Sequence, residues 1–569
     1  MQYELHFNLQ QKAALIGAIS CWENQKNRIN EFFTSCGIIE SDEAKNKWIR
    51  LTQQVVEESN QKILPSKLKG EFIYIVKEIG KKIFNWFKYI LYENNLKHEE
   101  TLNYINKIYW TPYGTVDEVE TFRLSWLENS NLSITKVYNN ACKYALKKEI
   151  DHLWQNISKL RQINFINENE GYDQQLSAYW KYIRDGDVSF LKKCFDKSPL
   201  YLILENFYDI SYYDDNCSPE ENMLKLSVQQ GNRIATKYFW EKLTEDEKNR
   251  SVINYARIAV IYYIHSEHEK DVFNYKNENY VEICIFLINQ MTKDQKKLFL
   301  NEASGSLILD KLVYKQTAVK SIVLRMLLLV WPWQELLTSV LNEMFENLQL
   351  DSRIVQMCLD VIINKMVEHH MLGHSVRNSR YQRIFHEVWL IIPGSMKQKI
   401  IQDHPKCDFI CRLLDIWDLS SIKLIINDPE IAAVRDQYLE SGHKRYRWLI
   451  INDQYERLDQ FIEEVLRSEK EKKYFKKKII IRDYQILDDK FHLVDTVLHW
   501  QWNKPENMHY VKSVIDHINL CELFIKTHRC DLADKFLNWT CETEEEKRKY
   551  KDHLRDNMFL TSRLMKYGK

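Results

Sequence analysis

The clearest feature of the chain is a recurring pattern of polar and apolar positions. A turn-like residue, a polar residue and an apolar stripe follow one another in GDVSFLKKCF from Gly186, GNRIATKYF from Gly231 and WDLSSIKLII from Trp417. Apolar residues three and four positions apart share one face of a helix, so each copy predicts a helix that begins after a turn. Looser copies begin at Lys148, Asn279, Asp453 and Cys530.

A shorter apolar stretch precedes most of these copies. Examples are YWKYI from Tyr179, MLKLSV from Met223 and CELFI from Cys521. A first helix, a tight turn and a second helix form a helix hairpin. Such hairpins stack because one alone cannot bury its apolar face. The pattern therefore predicts an all-α protein, built as an α-solenoid of helix pairs.

A second signature follows the second helix in several units: Ser or Thr, with Glu or Gln three residues later. This spacing is typical of a capping box, in which each side chain satisfies a backbone N–H at the start of a helix. In three units the box begins 13 residues after the unit marker, so many units are expected to carry a third short helix. The matches begin at Thr244, Thr292, Ser395, Ser468 and Thr543.

The first 135 residues differ from the rest. A stretch from Ser66 to Asn94 is amphipathic and predicts a core-facing helix with a solvated basic face. A helix that lies on a membrane surface or in a partner's groove is the alternative. The turn of residues 111–114 marks the expected boundary of this amino-terminal helical cap. The basic face is formed by Lys67, Lys69, Lys77, Lys81, Lys82 and Lys88.

Glycine and proline are scarce, at 13 and 9 of 569 residues, whereas the two together make up about 12% of ordinary proteins. Hairpins and phosphate-binding loops need residues that adopt positive φ, and long helices with short connections do not. The scarcity therefore favours an all-α fold.

The charges balance, with 80 Lys and Arg against 80 Asp and Glu, so no overall field draws the chain to nucleic acid. The longest apolar run, from Met326 to Trp333, is far shorter than the roughly 20 residues that span a bilayer. We expect no membrane span. The start of the chain lacks a signal-peptide pattern, and the cysteines are scattered, which favours a reducing compartment. We expect a cytoplasmic protein, with the nucleus as the alternative.

The three best copies resemble the second-helix portion of the ankyrin repeat, and Leu224 to Gln230 is similar to the end of its first helix. The overall texture resembles poorly characterised ankyrin-like helical families of invertebrates. No unit carries the Thr-Pro-Leu-His opening that shapes the ankyrin turn, so binding modes that use the ankyrin fingers do not carry over. The resemblance implies non-catalytic protein binding on a curved helical surface.

Four segments follow from these patterns. Residues 1–135 form the amino-terminal helical domain, and residues 136–300 carry ankyrin-like helical repeats. Residues 301–410 are helical repeats of unclear phase, and residues 411–569 are carboxy-terminal ankyrin-like repeats.

Candidate chemistry is sparse. His386 and Glu387 begin a zinc-protease-like helix, but Leu390 stands where the second ligand belongs. His370 and His374 are one helical turn apart, yet Gly373 favours a helix end there. A compact group formed by His404, Cys407 and Cys411 lacks the fourth ligand that structural zinc requires. We therefore assign no catalytic, cofactor-binding or metal-binding residue and expect no cofactor.

The expected function is a non-catalytic scaffold or adaptor that binds protein partners. One alternative is a nucleic-acid-associated protein that uses the basic helix of residues 472–482, where Tyr474 and Phe475 interleave with lysines. A solvated helix face explains this run better, because acidic residues precede it, and we do not expect nucleic acid as a partner. The other alternative is an enzyme or effector with an unrecognised site.

Overall fold

Helices make up nearly all of the regular structure that the computed structural model describes. Among the described residues the β pairing is a single isolated bridge between Trp110 and Val116. The all-α prediction is therefore confirmed. No described helix is long and apolar enough to cross a bilayer. The described residues are 2–36, 39, 41–60, 66–93, 107–127, 133–158, 174–196, 213–268, 276–302, 318–348, 350–371, 379–403, 409–452, 454–472, 475, 537, 541 and 543–552.

The chain divides into two compact units. The first comprises Met1–Lys365 and Ser375–Ile391, and the second comprises Met366–His374 and Ile392–Lys569. The helices of the first unit are α1 (Leu9–Glu23), α2 (Lys26–Ser35), α3 (Asp42–Asn60), α4 (Ser66–Glu93), α5 (Glu118–Phe122), α6 (Ile134–Lys143), α7 (Lys147–Asn156), α8 (Gln174–Asp185), α9 (Ser189–Asp196), α10 (Pro219–Gln229), α11 (Arg233–Lys242), α12 (Glu245–His268), α13 (Lys276–Gln290), α14 (Lys293–Asn301), α15 (Val319–Leu329), α16 (Leu337–Asn347), α17 (Ser352–Met371, which ends in the second unit) and α18 (Arg380–Ile391).

The second unit is smaller and uses shorter helices. They are α19 (Gly394–Asp403), α20 (Phe409–Asp415), α21 (Leu419–Ile426), α22 (Arg435–Ser441), α23 (His443–Ile451) and α24 (Tyr455–Val465). The buried Lys397 holds α19 against the segment that precedes α22, because its Nζ lies 2.9 Å from Asp428 Oδ2 and 2.8 Å from Glu430 Oε2.

A cluster of aromatic residues fixes α1, α3 and α4 together. Trp22 and Trp48 stack with ring centroids 5.4 Å apart. Their indole N–H groups donate to backbone carbonyls of α4, at Val76 (2.7 Å) and Gly80 (3.1 Å). A Cβ at Gly80 would lie 2.2 Å from the Trp22 ring, so glycine permits this close approach.

The turns inside the helix pairs share one backbone geometry. Ala145, Gly186, Gly231 and Trp417 all have positive φ, between 50° and 75°. After three of these residues, the next N–H donates to the carbonyl five residues earlier, as in a Schellman helix end. The markers Gly186, Gly231 and Trp417 thus share a positive φ, and the capping hydrogen bond is found after Gly231 and Trp417. The bonds are Leu146 to Ala141, Asn232 to Ser227 and Asp418 to Leu413, and Gln454 to Leu449 repeats them beside the Asp453 marker.

Successive pairs pack helix against corresponding helix. The first helices α6, α8, α10 and α12 each contact the next one in this order, and α11 packs on α13. The second unit repeats the scheme, with α20 on α23 and α21 on α24.

Three of the expected capping boxes are reciprocal, at Thr244, Thr292 and Ser468. Three local expectations are wrong. Ser395 lies inside α19, which begins at Gly394, and Asn279 lies inside α13 rather than in a turn. The box at Thr244 opens a helix of 24 residues, not a short third helix. The copy at Cys530 lies outside the described residues.

Contacts within the first unit cross the predicted boundary at residue 135. Arg233 Nη2 donates to the Val116 carbonyl at 2.5 Å, and Lys82 is ion-paired with Glu278. A Cβ at Gly114, in the predicted boundary turn, would lie 2.4 Å from the Trp331 ring. The division into four segments stays a prediction, and a truncation that tests it is described below.

Candidate functional site

The first unit contains a polar cleft of about 50 Å³ between α4, the start of α5 and the starts of α11 and α13. A space of this size holds a few water molecules or the end of one side chain, since one water needs roughly 10–15 Å³ on the same measure. The four lining residues of α4, at positions 82, 85, 86 and 89, are three or four residues apart and therefore lie on one side of the helix. The walls include Lys82, Asn85, Trp86 and Tyr89 of α4, together with Val116, Glu118, Arg233 and Glu278.

Lys82 is the buried cation of the cleft. Its side chain is 7% exposed and pairs with the Glu278 carboxylate. Its Nζ also donates to the Trp331 carbonyl at 3.3 Å and lies 5.2 Å from the centre of the Trp331 ring. Burial lowers the pKa of Lys82, and Glu278 opposes that shift. The expectation that Lys82 belongs to a solvated face is wrong, because α4 is covered on this side.

Arg233 organises the opposite wall. Its Nη1 donates to Glu282 Oε2 at 2.6 Å, and its Nε lies 3.3 Å from Glu118 Oε1. Lys237 Nζ donates to the other Glu282 oxygen at 2.6 Å. Burial alone would raise the pKa of Glu282, but these two cations outweigh it and lower the pKa to about 2.

The pKa of Glu118 shifts in the opposite direction, although the same arginine lies beside it. Burial raises its pKa, and Arg233 and Lys143 only partly oppose that shift. The carboxylates of Glu282 and Glu278 raise it further. Two carboxyl groups beside one guanidinium therefore differ, because Glu282 receives two close charge-assisted hydrogen bonds and Glu118 receives only a longer contact.

Besides Arg233 Nε, two buried polar atoms beside the cleft have no hydrogen-bond partner among the residues that the structure describes. They are Asn85 Oδ1 and Trp86 Nε1, whose residues are 8% and 7% exposed. One is an acceptor and the other a donor, which suits a small group that offers both functions, such as a carboxamide. The charged groups around them are already paired with one another. The arrangement can bind a small polar group beside Glu118, whose pKa is raised by burial.

Four of the residues considered for metal binding, His370, His386, Glu387 and Cys411, lie in the part of the chain that the structure describes. His386 and Glu387 lie on α18, where Glu387 pairs with Arg383 at 3.3 Å and Leu390 is exposed. Within the described part of the chain, no group of three or more His, Cys, Asp or Glu residues is arranged to hold a metal ion. Cys411 is buried on α20, and its thiol donates to the Ser441 carbonyl at 3.6 Å. His374, His404 and Cys407 lie outside the described residues.

In the described part of the basic run near residue 472, the lysine is ion-paired with glutamates and the phenylalanine is buried. Lys472 pairs with Glu469 at 3.0 Å and also with Glu463. Phe475 is buried against Tyr446, with ring centroids 5.1 Å apart, so its ring is not presented for stacking on bases. Lys473, Tyr474 and residues 476–482 lie outside the described residues.

Sequence reasoning missed the cleft, although one signal was present. Ile75, Ile79, Lys82 and Trp86 follow the spacing of a buried helical stripe, so Lys82 occupies a position otherwise taken by apolar residues. A lysine in such a stripe indicates a buried partner. That partner, Glu278, is almost 200 residues away in the chain, and no local sequence pattern identifies it.

No model of a known protein family matches this chain, and no curated protein matches its sequence. The likeness to ankyrin repeats therefore rests on the sequence copies and stays a resemblance.

Proposed function

We propose that the chain is a non-catalytic protein-binding scaffold, built as an α-solenoid of ankyrin-like helix pairs with an amino-terminal helical cap. The observation that carries this proposal is the shared left-handed turn at Ala145, Gly186 and Gly231, joined to the packing of α6, α8 and α10 on one another in sequence order. Regular stacking of equivalent pairs gives a rigid surface on which neighbouring units present the same positions to a partner.

The side chains along these pairs support protein binding. The Arg184 guanidinium lies 4.0 Å from the centre of the Trp154 ring. Lys181 lies 4.6 Å from the Phe190 ring, and Lys192 lies 5.3 Å from the Tyr213 ring. Each of these rings is half-buried. Arg and aromatic residues with apolar bodies and polar rims are enriched at protein interfaces, where they supply much of the binding energy.

The partners in this proposal are proteins, and the compartment is the cytoplasm or the nucleus. The test is to recover the tagged full-length chain from source-cell lysate after lysine cross-linking, with and without nuclease, and to identify cross-linked peptides by mass spectrometry. Exposed lysines on successive pairs, such as Lys148, Lys193 and Lys242, report contacts to this surface. The scaffold proposal requires a few proteins whose cross-links survive nuclease. Recovery that disappears with nuclease supports the nucleic-acid alternative instead.

The cleft favours a second candidate, an enzyme or small-molecule-binding protein. The pKa of Lys82 falls and that of Glu118 rises, so both move towards neutrality in one small cavity. Shifts of this kind mark functional sites as well as structural ion-pair networks. A ligand that binds the folded state raises the melting temperature, and above its Kd the increase grows with the logarithm of its concentration. A shift with small carboxamides that Asn85→Leu abolishes supports this candidate, and no shift at any concentration removes it.

A further inference from the structure

The amino-terminal strap (residues 2–8) crosses the helices of the first unit without helix or turn. Its side chains alternate: Tyr3, Leu5 and Phe7 are only 5%, 6% and 7% exposed. The residues between and beside them face solvent. This alternation is that of an extended chain with one face buried.

The Asn289 side chain forms two hydrogen bonds with the backbone of the strap. The Tyr3 N–H donates to Asn289 Oδ1 at 2.7 Å, and Asn289 Nδ2 donates to the Tyr3 carbonyl at 2.9 Å. Both polar groups of a single carboxamide are thus matched to both polar groups of one backbone residue. Because only backbone atoms take part, this pair of hydrogen bonds is available to any extended residue in the same place.

The first side-chain position of the strap favours a phenol. Lys296 Nζ lies 4.9 Å from the centre of the Tyr3 ring and 3.8 Å from Glu343 Oε1. Burial raises the pKa of Tyr3, and the nearby Glu343 carboxylate raises it further. The hydroxyl therefore stays neutral beside that carboxylate.

The third buried side chain of the strap, Phe7, is aromatic and contacts two other aromatic rings. The Phe7 ring meets Tyr113 edge to face at 5.7 Å and lies 6.5 Å from Trp331. We call the surface formed by Asn289, Lys296, Glu343, Tyr113 and Trp331 the strap groove.

We infer that the strap groove is a binding site for extended peptides and that the strap is its intramolecular occupant. Main-chain hydrogen bonds that supply affinity, with pockets for alternate side chains that supply specificity, are the elements by which proteins bind extended segments. The ligand class is an extended segment with tyrosine, an aliphatic residue and an aromatic residue at alternate positions. This inference rests on the proposed protein-binding function and names one site for it.

The experiment uses the full-length chain and a fluorescent synthetic peptide with the strap sequence QYELHFN. In the wild-type chain the strap competes for the groove. A Tyr3→Ser/Phe7→Ser double variant releases the strap, and fluorescence anisotropy should then show peptide binding at least roughly tenfold tighter, because the fraction of open groove has increased.

Matched changes test the contacts separately. In the double variant, Asn289→Ala should remove binding and Asn289→Asp should weaken it, since aspartate keeps the acceptor but loses the donor. Asn452→Ala is the control, because Asn452 is exposed and, among the described residues, its amide donates only to the Trp448 carbonyl of the preceding helix, at 2.8 Å. On the peptide, Leu5→Glu should abolish binding and Glu4→Gln should leave it unchanged.

Two results overturn the inference: a folded double variant that does not bind the peptide, and binding that Asn289→Ala leaves intact. If the double variant loses its helical circular dichroism, the wild-type chain decides. Excess unlabelled peptide should then speed amide hydrogen exchange of residues 2–8, and unchanged exchange contradicts the inference. Nuclease-resistant partners that cross-link only to other surfaces would leave the scaffold proposal standing while the peptide test fails.

Discussion

Arg380 on α18 donates through Nη1 to Glu71 on α4 at 2.7 Å, across 309 residues of chain. It is 1% exposed and also pairs with Glu335, while its Nε donates to Gln334 at 2.6 Å. A guanidinium offers five donors in a fixed plane, so one buried side chain can fix three elements at once. Arg380 is thus the polar centre of the contact between α4 and α18.

We expect Arg380→Met to destabilise the first unit by about 3–5 kcal/mol, because it removes a buried guanidinium from two carboxylates that are only 13% and 12% exposed. Arg383→Met is the matched control: Arg383 contacts Glu335 at 2.7 Å, but its side chain is 34% exposed. Solvent compensates for its loss, so the effect should be smaller, about 1 kcal/mol. Urea titrations measure both values. Equal losses for the two variants would contradict the central role of Arg380.

Glu282 should stabilise the fold in a pH-dependent way. Its pKa falls from the ordinary value of 4.5 to about 2 on folding. A carboxyl group of this kind adds stability above its unfolded pKa and loses it as the pH falls through the folded pKa. We expect Glu282→Gln to cost about 2–3 kcal/mol at pH 7, and the difference from wild type to shrink between pH 4.5 and 2. A pH-independent difference would contradict this.

Glu118 lies beside the same arginine, but its effect on the pH dependence of stability should have the opposite sign. Because folding raises its pKa, its ionised form opposes folding at every pH above the folded pKa, and that penalty disappears as the pH falls through the folded pKa towards 4.5. Glu118→Gln should therefore leave stability unchanged or raise it at pH 7. A chemical denaturation series alongside Glu282→Gln makes the comparison, and a clear loss of stability at neutral pH would show that Glu118 is a stabilising ion-pair partner instead.

The two turn glycines provide a matched pair. Gly186 and Gly231 both have positive φ, at 75° and 67°. A Cβ at Gly186 meets nothing within 4 Å, whereas one at Gly231 lies 3.2 Å from the Tyr280 ring. Gly186→Ala should cost about 1–2 kcal/mol from backbone strain alone. Gly231→Ala should cost more, because Tyr280 must also move. A smaller loss at Gly231 in thermal melts would contradict this account of the turns.

These turns were predictable from sequence because a positive φ is a local property, which depends on the residue at that position. A glycine followed by a polar residue and an apolar stripe signals a left-handed helix end at Gly186 and Gly231. The equivalent turn at Ala145 carried no such signal, since alanine gives no sign that it adopts positive φ. Local rules thus located the turns at Gly186 and Gly231 but failed at Ser395 and Asn279.

The cleft and the strap were not predictable, because both depend on contacts between distant segments. The pairs Lys82 with Glu278 and Tyr3 with Asn289 are separated by 196 and 286 residues. Residues 2–8 are too few to show periodicity against any partner. Physical rules predict that a buried lysine or an extended strap needs a partner, and only the fold identifies it.

Removal of residues 1–135 separates the sequence interpretation from the contacts. A domain boundary at residue 135 predicts a folded helical fragment. The contacts predict loss of cooperative melting in the remaining first unit, because Glu278, Asn289 and Arg380 lose buried partners. Circular dichroism melts of the truncated and full-length chains decide between them.

Stacked helix pairs of this chain are proposed to bind a protein partner. The most direct measurement is hydrogen–deuterium exchange of the full-length chain with and without a partner purified from the cross-linking experiment. The account predicts protection at equivalent positions of successive pairs between residues 134 and 290, or at the strap groove. Protection confined to residues 472–482 would contradict the claim, as would an exchange pattern that the partner leaves unchanged.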